Sequence, residues 1–160
     1  VSSLARRLEG HTRPARKDEN GVRRCRWCEG PVLAKNRRTF CSDPCVHEFR
    51  LRSDPGYLRA QVFKRDKGVC ASCDVDTVEL QTKLRARWQF DLYGCKRVLA
   101  ACSIPESRLF GGTLWDADHI LPVIEGGGLV GLEGMRTLCI PCHVDATAEL
   151  ARRRAKGRQP

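Results

Sequence analysis

A small α+β fold stapled by two zinc sites is what this sequence predicts, on three observations. Eight of the ten cysteines fall into four close pairs, Cys25/Cys28, Cys41/Cys45, Cys70/Cys73 and Cys139/Cys142. A short turn between two thiolates is what tetrahedral zinc requires. Between the last two pairs lie a long amphipathic stretch, then two short apolar segments separated by a glycine-rich turn, with a helical pattern behind them. The expected architecture is a zinc-stabilised strand–turn–strand–helix unit with a helical insertion, preceded by a four-cysteine zinc finger. At 160 residues the chain is long enough for one domain or for two small ones.

Composition narrows the partners. Lys and Arg outnumber Asp and Glu by 29 to 19, which favours a polyanion: nucleic acid first, an acidic membrane surface second. Plain solubility is the competing explanation of such a charge. No apolar run approaches the ~20 residues that span a bilayer. Residues 1–24 lack the apolar stretch of an export signal, and Leu4 and Leu8 alone make a poor membrane-binding face. The expectation is an intracellular protein with no membrane partner, in which paired cysteines hold zinc and not disulfides. Its first residue is Val, so a piece of a longer protein is expected.

Taken in order, residues 1–24 read as a basic flexible arm, with Arg6, Arg7, Arg13, Arg16, Lys17, Arg23 and Arg24 against Glu9, Asp18 and Glu19. Residues 25–65 read as the zinc finger with helices. Cys25-x2-Cys28 forms a knuckle, Asn36 to Phe40 a short strand, and Asp43-Pro44 a helix start running to about Arg52. Ser53-Asp54-Pro55 repeats the start signal for a helix through Arg65, with Leu58, Val62 and Phe63 turned inward. Residues 66–151 read as the second domain. From Thr77 to about Cys102, apolar residues at Leu80, Leu84, Trp88, Leu92, Cys95, Leu99 and Cys102 step by threes and fours, marking an amphipathic helix broken near Gly94. Cys95 and Cys102 lie on its apolar stripe and are expected to pack as small hydrophobes, a zinc half-site being the alternative. A loop at 104–112, a strand at 113–120, a turn at 125–128, a strand near Thr137-Leu138 and a helix from about Cys142 to Arg154 follow. Residues 152–160 form a basic tail.

The first zinc site is assigned to Cys25, Cys28, Cys41 and Cys45, four ligands within 21 residues, so ring closure costs little entropy. The second draws on Cys70, Cys73, Cys139 and Cys142, although spacing alone leaves an interleaved arrangement open. Closed all-cysteine sites are structural. Arg26, Lys35, Arg37 and Arg38 in the finger are candidates for phosphate contact, or simply exposed charges.

Chemistry is carried by Trp115-Asp-Ala-Asp-His-Ile-Leu-Pro122, Gly126-Gly-Gly128 and Leu138-Cys-Ile-Pro-Cys-His143. Asp118 and His119 stand side by side at the end of an apolar strand, and His143 follows a zinc cysteine directly. Any one of them alone is more often structural than functional; the combination beside a zinc clamp is rare.

The pattern Asp-His-Ile-x-Pro, a glycine turn and Leu-Cys-x-x-Cys-His resembles the HNH endonucleases of the ββα-metal fold. Upstream, Phe40-Cys-Ser, Tyr57-Leu-Arg-Ala, Val62-Phe and Gly68-Val-Cys-x-x-Cys73 resemble the HNH domain attached to a Swi/Snf-type annealing helicase, over about residues 25–150. The resemblance implies a metal-dependent DNA endonuclease, within a larger parent protein or beside a helicase partner. It makes His119 the general base and Asp118 and His143 the ligands of one Mg2+ or Mn2+, beside two structural Zn2+, with 5′-phosphate and 3′-hydroxyl products. Imidazoles titrate near neutrality and suit that task. Neighbours on a regular strand face opposite ways, so Asp118 and His119 share a site only if the strand distorts or ends there. Asp116, on Asp118's face, is a candidate to supplement the metal. One departure stands out: Gly134 occupies the place of the family's middle Asn, which ties down the turn or ligates the metal. The competing reading is therefore a catalytically weak or inactive zinc-stabilised nucleic-acid-binding module, and a protein-interaction adaptor is a third. The sequence leaves the oligomeric state open.

Overall fold

The computed structural model describes residues 15–157; Arg6, Arg7, Arg13 and Arg158 lie outside them. It divides into two compact units. One draws on the chain up to Gln61 together with Leu121–Gly134, the other on Val62–Ile120 together with the chain from Met135 onward.

In the first unit, residues 17–24 close a tight turn. The Asp18 carboxylate accepts from the backbone of Asn20 and Val22 and pairs with Arg24 at 2.8 Å. The finger packs Val32, Trp27 and Phe40 around Cys25, Cys41 and Cys45. No strand forms at Asn36–Phe40; one backbone bond, from Arg26 N–H to the Thr39 carbonyl, ties that segment to the knuckle. Helix α1 spans Asp43–Ser53. Its cap is Ser42, one residue earlier than expected, with the hydroxyl accepting from Cys45 N–H, Asp43 in the first turn and Pro44 behind it. Two finger arginines are committed to packing. Arg26 lies over the Phe49 ring and Arg52 over Trp27, while Arg37 pairs with Asp43. Of the four phosphate candidates, this leaves Lys35 and Arg38 the better placed.

Helix α2, Pro55–Asp66, begins where Asp54 accepts from Tyr57 N–H at 2.9 Å. Val62 is fully buried, but Phe63 is 40% exposed. One face of the Phe63 ring stacks on Trp115, with centroids 5.6 Å apart, and the rest of the side chain stays partly open.

The insertion of the second unit is three helices, not one broken helix and a loop. Helix α3 covers Thr77–Arg87 and α4 covers Leu92–Ala101. The break falls before Asp91, whose carboxylate caps α4 by accepting from Gly94 N–H at 2.8 Å. A Cβ at Gly94 would collide with that carboxylate, so this glycine serves the cap and does not break the helix. Leu84, Cys95, Leu99, Ile104, Leu109, Leu114 and Ile140 form the buried core, with Leu80, Trp88 and Cys102 packed against it. Cys95 and Cys102 are thus core residues, as their place on the stripe predicts.

Helix α5, Glu106–Gly111, arises where a loop was expected. Six residues cannot hold a helix by propensity alone. The buried amide of Gln81 donates to the carbonyls of Leu109 (2.9 Å) and Gly112 (2.9 Å), and Arg85 donates to Leu109 as well. These side chains satisfy the carbonyls that a helix C-terminus leaves open. Gln81→Ala is expected to lower stability by about 1–3 kcal/mol through those orphaned acceptors, read as a fall in melting temperature; Gln81→Glu, without the donor, should behave alike.

Strands β1, Trp115–His119, and β2, Met135–Cys139, pair antiparallel, with Asp118 opposite Arg136 and His119 opposite Met135. Helix α6, Ile140–Lys156, follows β2 directly. Thr137, fully buried, donates to Asp66, which also pairs with Arg65. These partners, Arg65 first, hold the Asp66 carboxyl below its ordinary range. No described helix is long and apolar enough to cross a membrane.

Candidate functional site

Two four-thiol clusters and one mixed carboxylate–imidazole cluster carry the polar chemistry. The sulfurs of Cys25, Cys28, Cys41 and Cys45 lie within 4.8 Å of one another, as do those of Cys70, Cys73, Cys139 and Cys142. No interleaving occurs. Neighbouring sulfurs stand 3.4–3.7 Å apart, close to the ~3.8 Å edge of a tetrahedron with Zn–S bonds of about 2.3 Å. Both clusters could hold zinc. Burial pushes the Cys25 thiol up, but backbone N–H groups of Cys28, Cys41 and Trp27 outweigh it and bring it to about 7. Cys70 reaches about 7 in the same way, with burial opposed by N–H groups of Cys139, Ser72 and Cys73. Cys45 and Cys139 meet the charge already there. Ser42 lowers Cys45, yet burial and the three neighbouring sulfurs drive it up to about 12, and Cys139 is pushed up by burial and its cluster. Four thiolates so close require a cation to share their charge.

The second cluster joins both ends of the segment that bears the mixed cluster. Cys139 ends β2 and Cys142 sits in the first turn of α6. Leu138, Val75 and Ala146 pack around this corner, and Ala71 N–H donates to the Thr137 carbonyl. His143, next after Cys142, is therefore held against the sheet.

On that face the strand alternation sets Asp116 and Asp118 side by side. His143 Nε2 lies 3.9 Å from Asp118 Oδ1, and His143 Nδ1 lies 3.4 Å from Asp116 Oδ2. Arg136, opposite Asp118 in the ladder, donates from Nε and Nη2 to Asp118 Oδ2 at 2.9 and 2.8 Å. Only Oδ1 is left turned to the imidazole. Arg108 of α5 forms a two-pronged pair with Asp116, at 3.0 and 3.2 Å. Two donors bonded to one divalent ion at about 2.1 Å stand ~3–4 Å apart, so Asp118 Oδ1 and His143 Nε2 fit one divalent ion in spacing, and the carboxylate is a donor of the type that Mg2+ and Mn2+ take.

His119 takes the last position of β1, half-buried and opposite Met135. Alternation assigns it to the side of Trp115 and Ala117; the ladder ends with it, and the chain leaves the regular strand there. Of the candidates read from sequence, the structure gathers Asp116, Asp118 and His143 on one face and leaves His119 adjacent at the strand end. Sequence reading missed Arg136 and Arg108. Arg136 has a legible signal, since pairing two strands across a glycine turn sets it opposite Asp118. Arg108 has none, because α5 itself was unforeseen.

The glycines of the turn have a steric role. Gly126 adopts φ 104°, and a Cβ at Gly127 would collide with the Leu121 carbonyl. Gly134 ends the short 3-10 turn before β2. A Cβ there would fall 2.5 Å from Val130 Cβ. The space an Asn would need is filled by Val130. Gly134→Asn alone is thus expected to destabilise the chain by about 1–3 kcal/mol through overpacking without raising any activity; in a Val130→Gly background, which removes the Cβ that the new side chain meets, the added cost of Gly134→Asn should largely vanish in a thermal melt.

No family model matches the chain. It is 34% identical, over 157 aligned positions, to the DNA annealing helicase and endonuclease ZRANB3 of Mus musculus, an alignment covering 89% of this chain and 15% of that protein. The Homo sapiens protein of the same name is 32% identical with the same coverage. The chain therefore spans about 15% of the length of the curated relatives it matches. A crystal structure of the human ZRANB3 HNH domain matches at 35% identity, covering 68% of this chain and 98% of that one, with a TM-score of 0.49. Kinship rests on the sequence identity, which extends across almost all of that domain.

Proposed function

The chain belongs to the HNH endonuclease family, in the branch joined to annealing helicases, and from that premise we propose that it is a metal-dependent endonuclease that hydrolyses DNA. The observation that carries the reading is the convergence of Asp118 Oδ1 and His143 Nε2, 3.9 Å apart, beside a histidine at the strand's end. Asp118 and His143 would hold one Mg2+ or Mn2+, whose charge would offset the negative charge that builds on the phosphate and the leaving oxygen. His119 accepts the proton of the attacking water. The water oxygen bonds to phosphorus as the bond from phosphorus to the 3′ oxygen breaks, and solvent protonates that oxygen. The ends left are 5′-phosphate and 3′-hydroxyl. Arg136 keeps the Asp118 carboxylate in place by holding Oδ2. The chain's excess of basic residues would draw the polyanionic substrate in, and the names of its relatives support a setting inside the cell, within or beside an annealing helicase.

The test is nicking of supercoiled and branched DNA by the zinc-loaded chain. Cleavage with Mg2+ or Mn2+ and none under EDTA is expected; failure to cut any DNA form under those conditions removes the enzyme reading. Gly134, with its space closed by Val130, favours a second reading, a DNA-binding module whose cleavage has decayed. That reading predicts salt-sensitive binding with no cleavage.

A further inference from the structure

We infer that Asp116 and Arg108 act as a positioning pair that sets the His143 ring for the divalent ion, which makes α5 of the helical insertion part of the metal site; this rests on the nuclease reading above. Three nitrogens converge on one carboxylate. Arg108 engages Asp116 Oδ1 and Oδ2 at 3.0 and 3.2 Å, and His143 Nδ1 approaches Oδ2 at 3.4 Å. The Asp116 side chain is only 18% exposed, so water competes little for those lone pairs. Of the two ring nitrogens Nδ1 stands nearer to a carboxylate, 3.4 Å from Asp116 against 3.9 Å from Asp118 for Nε2, so in the neutral ring the proton is assigned to Nδ1 and the lone pair to Nε2. Metal-binding histidines are commonly oriented in this way by a carboxylate behind them.

Arg108 restricts what Asp116 can do. A carboxylate pinned on both oxygens by a guanidinium cannot swing toward an ion without breaking that pair, so Asp116 serves the ring and does not ligate. Arg108 is itself fixed. Its helix is anchored by the fully buried Leu109 and by Gln81 and Arg85 on the Leu109 carbonyl. The chain of contacts therefore runs from the insertion core through Arg108 and Asp116 to His143.

Two measurements on the zinc-loaded chain test this. The first is the tautomer of His143 in metal-free protein, from the 15N shifts of its ring. The second is Mn2+ affinity by electron paramagnetic resonance. Nδ1 should carry the proton in the parent chain, and Asp116→Ala should populate both tautomers. Asp116→Ala and Arg108→Ala should each weaken Mn2+ binding by about 10–100-fold. Asp116→Asn, whose amide oxygen still accepts, should recover part of the loss, and Arg108→Lys serves if Arg108→Ala does not fold. If Asp116 were a ligand, Arg108→Ala would free it and tighten Mn2+ binding, and the inference would be overturned. An unchanged tautomer in Asp116→Ala would overturn it too. A parent chain with no Mn2+ site sensitive to Asp118→Ala defeats the nuclease reading instead, and the tautomer still decides the positioning.

Discussion

Cys139→Ser is expected to unfold the unit that carries the site, and stripping zinc with a strong chelator should do the same. The unit's apolar core lies mainly in the insertion, around Leu84, Leu99 and Leu109. The corner that presents His143 has only Leu138, Val75 and Ala146 about its four cysteines. Structural zinc contributes an apparent 10–16 kcal/mol in small domains, which is as large as the whole stability of a typical fold, about 5–15 kcal/mol. Without the ion, four crowded thiols must give up most of their charge, and the Ala71–Thr137 bond with the small packing of Val75, Leu138 and Ala146 is left to join Cys70 to a helix that begins 70 residues later. The expected readout is loss of the cooperative melt and a fall from two bound zinc ions per chain to one. Cys102→Ser is the control, because a partly buried thiol outside either cluster should cost about 1 kcal/mol. A Cys139→Ser protein that melted within a few degrees of the parent would show that the second cluster is not a structural zinc site.

His119→Ala should lower the cleavage rate by about 10²–10⁴-fold, the usual contribution of a general base, with zinc content and melting temperature unchanged. The side chain is half-buried at the end of β1, where truncation opens no enclosed cavity. The loss should fall on kcat and not on KM, because the proton moves only in the transition state. Added imidazole should restore part of the rate by entering the vacated space. A variant cutting DNA within a few-fold of the parent would transfer the base's role to another group.

The sequence made the cysteine framework legible because ligand spacing is a local property. That Asp118 and His143 come together was legible because a motif beside a zinc clamp is distinctive; His119 falls on the other side of the strand by alternation. The helical stretch at 77–102 was readable from its apolar period, but its break was misplaced. Gly94 looks like a helix breaker, whereas the break falls before Asp91, whose carboxylate caps α4 and lies where a Cβ at 94 would stand. Helix α5 was hidden because Gln81 and Arg85, more than 20 residues away, satisfy its carbonyls. Arg108 was hidden with it. The strand expected at 36–40 failed because β structure needs a partner, and that segment finds only the Thr39 contact with Arg26. Phe63 shows the limit of apolar pattern as a guide to burial, for a ring can stack on Trp115 and still stay partly exposed. Gly134 marks a harder limit. The missing Asn was visible in the sequence, but Val130's occupation of its space was not.

Where a divalent ion binds is the most direct test of the nuclease site. Crystals of the zinc-loaded chain soaked in Mn2+, with diffraction recorded at the manganese absorption edge, locate it without assuming activity. The expected result is one anomalous peak about 2.1–2.3 Å from Asp118 Oδ1 and His143 Nε2. A peak elsewhere on the chain, or none at that position at saturating Mn2+, would contradict it.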